Sequence, residues 1–146
     1  MKFGSAQPYI AAFVIFRKGD KAAFLLRQNT GWGDGYYGLP SGKVEEGETF
    51  VQAAIREIKE EVSVNLKPQD LKHALTAHRK SDMSWVDVLF EAENWQGELH
   101  NTEPHKHAAL EWLDLNALPD NIVPPIRHYL NEIKAGKNYT EYGWET

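Results

Sequence analysis

The sequence predicts an α/β fold in which a mixed β-sheet is covered by a helix on each face. Three observations lead there: strand-length apolar runs in the first and the later part of the chain, one strongly amphipathic helical segment between them, and a second helical period near the C-terminus. Strands, a helix, more strands and a final helix cannot bury their apolar surfaces in two layers, so the sheet must carry a helix on either side.

In chain order, residues 9–16 and 22–27 are apolar and flank Arg17-Lys18-Gly19-Asp20-Lys21, which predicts a β-hairpin with a longer turn. Residues 29–35 form a glycine-rich loop. It lacks the spacing and the lysine of a phosphate-binding loop and reads as a flexible turn. Trp32 and Tyr36 there are expected to pack in the core, with stacking on a base as the other option. Residues 36–39 predict a short strand, bent by Pro40-Ser41-Gly42. Thr49 followed by Gln52 makes a capping box, and Val51, Ala54, Ile55, Ile58 and Val62 then repeat at three- and four-residue intervals, which predicts a helix. Strands follow at residues 71–78, 85–92 and about 109–113, separated by polar turns at 79–84 and 94–104. After a loop at 116–119, Pro124-Pro125 opens a last helix with Ile126, Tyr129, Leu130 and Ile133 on one face, ending at Gly136. Residues 138–146 show no clear period.

A chain of 146 residues is expected to form one domain, residues 1–146, burying about 70% of its unfolded surface. A net charge of −5 argues against a broad nucleic-acid-binding surface. There are no cysteines, which excludes a disulfide framework and a thiolate zinc site. Residues 1–8 lack a signal-peptide core, and no apolar run approaches the roughly 18 residues of a membrane span, so the expected location is cytoplasmic and no membrane partner is expected.

The chemistry-bearing segment is the central helix. At about 100° per residue its five apolar positions share one arc, and Glu57, Glu60 and Glu61 fall in the arc beside it. Neighbouring carboxylates repel by about 1 kcal/mol per pair in water and more where solvent is excluded. A divalent cation relieves that repulsion, and carboxylate oxygens suit Mg²⁺ or Mn²⁺. The plainer account is a solvated face whose repulsion Arg56 and Lys59 soften.

The residues upstream change that balance. Gly42, five residues, Glu48, seven residues, then Arg56-Glu57-Ile58-Lys59-Glu60-Glu61-Val62-Ser63-Val64 resembles the Nudix box, matching eight of its nine fixed positions. Ser63 stands where the family has glycine, at a helix end where a left-handed backbone costs a non-glycine residue on the order of 1 kcal/mol.

The resemblance implies a Nudix-type α/β/α sandwich and hydrolysis of a nucleoside diphosphate linked to another group. It implies a small nucleotide substrate and a Mg²⁺ or Mn²⁺ ion held by the Ser41 carbonyl, Glu57, Glu60, Glu61 and, from a late loop, Glu103. Arg56 and Glu48 would orient the helix carboxylates, and either Glu60 or Glu103 would take a proton from water. Asn101 to Lys106, Glu111-Trp112 and Leu118-Pro119 resemble the MutT-like subgroup that cleaves nucleoside triphosphates, damaged ones included, to monophosphate and pyrophosphate. The alternatives are an ADP-ribose or nucleotide-sugar pyrophosphatase and a Nudix-fold module that binds nucleotide without cleaving it.

Lys43 and Arg79 can reach a phosphate or a base, or else lie exposed; His78 shares that choice. His100, His105 and His107 read as surface residues rather than a zinc site. Asp82 and Asp87 take no assignable role, and the choice between monomer and homodimer stays open.

Overall fold

The computed structural model describes residues 4–144; the first three residues and the last two, on which parts of the terminal readings fall, lie outside the described residues. Strand β1 (Tyr9–Lys18) runs through the middle of a mixed sheet, parallel to β6 (Ser84–Ala92) from Tyr9 opposite Trp85 to Phe16 opposite Ala92. On its other side β1 meets two partners in succession. Near its end it pairs antiparallel with β2 (Lys21–Arg27), only at Arg17 with Ala22 and Lys18 with Lys21. Further back it pairs with β4 (Ser41–Lys43), Ala12 lying opposite Gly42. The hairpin expected from the sequence therefore opens after one turn, and β2 leaves to pair with β3 (Tyr37–Gly38) and β7 (His107–Asp114). Beyond β6 lie β5 (Lys72–Lys80), antiparallel to it, and β8 (Tyr139–Tyr142), parallel to β5.

Both faces of this sheet are covered. Ala12, Val14 and Phe16 of β1 bury against Ala54, Ile58 and Val62 of helix α1 (Phe50–Val62). Ile15 points the other way, into a cluster with Ile126 and Tyr129 of helix α2 (Pro124–Lys134). A strand buried on both faces reads as a continuous apolar run rather than an alternating one, which is how residues 9–16 read. Each fully buried Ile, Val or Phe contributes about 1.5–3 kcal/mol, so α1 is held by its apolar stripe and its acids ride beside that anchor.

Several expectations need correction. Residues 139–142 form an edge strand, although they carry no period of their own. Ser41 and Gly42 do not simply bend the chain but belong to β4, drawn into the sheet by β1. The glycine-rich loop is tied rather than loose: the Asp34 carboxylate accepts from the Gly31 amide at 2.9 Å, and Arg27 Nε donates to the Trp32 carbonyl at 2.8 Å. Trp32 and Tyr36 are not core residues; they are 56% and 41% exposed.

Candidate active site

Local backbone geometry sets the first half of the site. Thr49 caps α1 with a reciprocal box, its hydroxyl accepting from the Gln52 amide at 3.1 Å and the Gln52 side chain accepting from the Thr49 amide at 2.9 Å. The helix then lies against β4 so closely that a Cβ on Gly42 would stand 2.0 Å from Glu57 Cδ. Glycine is required there because the Glu57 side chain occupies that space.

Arg56 organises the acids around it. Its Nε and Nη2 donate to the two oxygens of Glu48 at 2.7 and 2.9 Å, its Nη1 donates to Glu57 at 2.7 Å, and its Nη2 also reaches the Lys43 carbonyl at 3.1 Å. A two-pronged guanidinium–carboxylate pair is strong and directional, so it fixes the Glu57 carboxylate over Gly42. The Arg56 guanidinium beside Glu48 holds that carboxyl down at about 2. Burial raises the Glu57 carboxyl, opposed by Arg56.

Glu61 faces the strand instead, accepting from the Ser41 amide at 2.9 Å. Burial pushes its carboxyl up to about 8, with Glu103 and Glu57 adding to the rise against the Ser41 amide and Arg27. Glu60 points outward, its side chain 59% exposed and 3.6 Å from Arg56.

The second half comes from the loop before β7. The His100 amide donates to the Val62 carbonyl at 2.8 Å and the Thr102 hydroxyl to the Glu61 carbonyl at 2.8 Å, so the loop satisfies carbonyls that the end of α1 leaves open. Glu103 is thereby delivered to Glu61. Carboxylate oxygens of these two residues and a ring nitrogen of His107 all lie within 4.8 Å of one another. Acids brought this close and partly dehydrated, on a cradle that only glycine leaves free, suit a hard divalent cation by their oxygen donors.

The NUDIX domain model matches residues 7–133, most of the chain. This chain belongs to the Nudix family. It is 34% identical over 113 residues to an ADP-ribose pyrophosphatase from Methanocaldococcus jannaschii, covering 77% of this chain and 65% of that protein's length. It is 31% identical over 91 residues to an 8-oxo-dGTP diphosphatase from Proteus vulgaris, covering 62% of this chain and 80% of the other. A MutT Nudix hydrolase from Burkholderia pseudomallei superposes with a TM-score of 0.78 at 26% identity, over 86% of this chain and 97% of that one. The sheet between two helices is the Nudix α/β/α sandwich.

Beside the acids a cavity of about 550 Å³ opens between β1, β4 and α2, with Phe13, Trp32, Ser41, Lys43, Trp85 and Ile126 in its wall. Of the substrate residues expected from the sequence, Trp32, Lys43 and Arg79 line it and Tyr36 does not. Lys43 lies over the Tyr9 ring at 4.5 Å. Arg79 is not free to roam: its Nε donates to Asp87 at 2.7 Å, and Tyr129 donates to the same oxygen at 2.6 Å.

Four residues in or beside this candidate site escape the sequence reading. Asp87, 1% exposed, is the buried partner of Arg79 and Tyr129. Arg27 lies with its guanidinium 4.7 Å from the Trp32 ring centre, and its charge is felt by Glu61. Tyr129 was legible only as one member of an apolar stripe. His107 is not a surface residue but 6% exposed, because it pairs with Arg27 at the start of β7. His100 and His105 are exposed as expected. An acid inside an apolar strand was the one available signal for Asp87, since buried carboxylates require partners.

Proposed function

We propose that this chain hydrolyses the diphosphate linkage of a nucleotide, with a nucleoside triphosphate as the first candidate, giving nucleoside monophosphate and pyrophosphate. The observation that carries the reading is that Glu61 and Glu103 come within 4.8 Å of each other while Glu61 accepts from the Ser41 amide and Glu57 lies over Gly42, and that Ser41 and Gly42 themselves line a cavity walled by aromatic and apolar side chains. The cavity suits a nucleoside, and its position leaves the phosphates over the acids.

Glu57, Glu61, Glu103 and the Ser41 carbonyl would hold a divalent cation, Mg²⁺ or Mn²⁺. When bound, such an ion supplies positive charge that offsets the diphosphate and the charge developing during displacement. Arg56, locked to Glu48, keeps the Glu57 carboxylate in place and spares it from reorganising during the reaction. Glu60, its side chain 59% exposed and paired with Arg56 only at 3.6 Å, is the acid most open to water, whereas Glu103 lies 3.5 Å from Lys106 and within 4.8 Å of Glu61 and His107. A Glu60 carboxylate oxygen therefore accepts the proton of the attacking water as its oxygen bonds to phosphorus and the bridging P–O bond breaks. Lys43 and Arg27 at the cavity edge meet the departing phosphate charge.

A second substrate reading, ADP-ribose, is favoured by the 34% identity to an ADP-ribose pyrophosphatase. The test is a panel of nucleoside triphosphates, oxidised nucleotides, ADP-ribose and nucleotide sugars, assayed for phosphate release with and without Mg²⁺. Triphosphates should turn over, and Glu61→Gln should lower kcat by at least about a hundredfold with the fold retained. Turnover of ADP-ribose alone would replace the substrate; wild-type rates in the variant at saturating Mg²⁺ would sink the cation assignment.

A further inference from the structure

His107 is the residue of this site that the carboxylate chemistry leaves unexplained. Its backbone is pinned on both sides, the amide donating to the Glu103 carbonyl at 3.0 Å and the carbonyl accepting from Asn101 Nδ2 at 2.8 Å. The backbone is thus fixed, only 6% of the residue is exposed, and its buried ring Nδ1 has no hydrogen-bond partner. Buried polar atoms are rarely left unsatisfied, and those that are call for an explanation. The neighbouring acids are the nearest candidates: one of the two ring nitrogens lies within 4.8 Å of carboxylate oxygens on both Glu61 and Glu103. Ligand bonds of about 2.0–2.2 Å place two donors of one ion at most about 4.4 Å apart, so small rotamer shifts suffice to bring all three onto a common centre.

We propose that His107 supplies a ring nitrogen to a mixed nitrogen–oxygen cation site with Glu61 and Glu103, and that this site takes a transition-metal divalent cation such as Mn²⁺ more tightly than Mg²⁺. The assignment rests on the reading of these acids as a cation site. Mg²⁺ strongly favours oxygen donors and retains water, whereas first-row transition ions accept a neutral imidazole more readily, Mn²⁺ the least among them. One histidine in an otherwise carboxylate site therefore moves selectivity away from Mg²⁺ and leaves the acids to balance the charge.

The experiment uses the full chain with Mn²⁺ as the probe. Pulsed EPR of the wild-type complex should reveal a directly coordinated ¹⁴N nucleus, and His107→Leu should abolish that coupling. Calorimetry should give a Mn²⁺ Kd at least about tenfold weaker in His107→Leu, with the Mg²⁺ Kd changed by less than about threefold. A wild-type spectrum with oxygen ligands alone overturns the assignment while the carboxylate site stands; the ring then only packs beside the acids or donates to them. Absence of any Mn²⁺ binding to the wild type overturns both the assignment and the cation reading beneath it. The wild-type spectrum decides the matter even if the variant fails to fold.

Discussion

Gly42 has no side chain to spare because Glu57 fills the position a Cβ would take, 2.0 Å from its Cδ. Gly42→Ala must push the Glu57 carboxylate aside and strain its bond to Arg56. A displacement of about 1 Å at a reacting centre can cost on the order of a hundredfold, so kcat/KM in a nucleotide assay should fall by about that factor while far-UV circular dichroism stays native. Unchanged turnover would mean that Glu57 does not act from its place over β4. His107 teaches the converse lesson at the same scale. Its neighbour His105 is exposed, and nothing in the spacing of the histidines distinguishes the two; only the pairing of β7 with Arg27 turns one of them inward.

Helix α1 is the element whose sequence and structure agree most closely. Its box at Thr49, its apolar stripe and its end at Val62 follow from residues within a few positions of one another, and helix geometry is a local property. Ser63 adopts the left-handed conformation expected where the family has glycine, with φ 63° and ψ 31°. Ser63→Gly should therefore raise the unfolding free energy by about 0.5–1 kcal/mol in urea titration, with kcat unchanged. A loss of stability would show that the serine is not strained there. The edge strand β8 is the opposite case. Four residues, two of them exposed, carry no usable pattern, and they become a strand because β5 offers an open edge beside them.

For the whole molecule, the buried acids make stability depend on pH. Glu61 is raised to about 8, so the folded state holds its proton more tightly than the unfolded chain, and stability falls as pH rises from the unfolded carboxyl value toward about 8. The raised Glu57 acts in the same direction. Burial lowers His107 below 6.5, which works the other way at lower pH but is spent above that value. Between pH 6.5 and 8, in EDTA, thermal melts should lose up to about 2 kcal/mol of stability, and saturating Mg²⁺ or Mn²⁺ should flatten the slope. A flat profile in EDTA would contradict the burial of Glu61. At the acid end, Glu48 is depressed to about 2, so its contribution is lost as pH falls below the unfolded value.

The chain by itself determined the acidic helix, its cap, its anchoring stripe and the glycine and glutamate that precede it, because these lie within one loop and one helix where backbone geometry relates sequence distance to spatial distance. It also determined the layering, since the order of strand and helix periods leaves few ways to bury every apolar face. Tertiary structure decided which acids lose water, that Glu103 and His107 arrive beside Glu61, and that Asp87 lies beneath Arg79 and Tyr129. Those outcomes depend on strands far apart in the chain meeting at a particular register, and on a β1–β2 hairpin that opens so that β4 can enter beside β1. No periodicity within a short window encodes such a meeting; it is settled by the joint packing of the eight strands and two α-helices of the described residues.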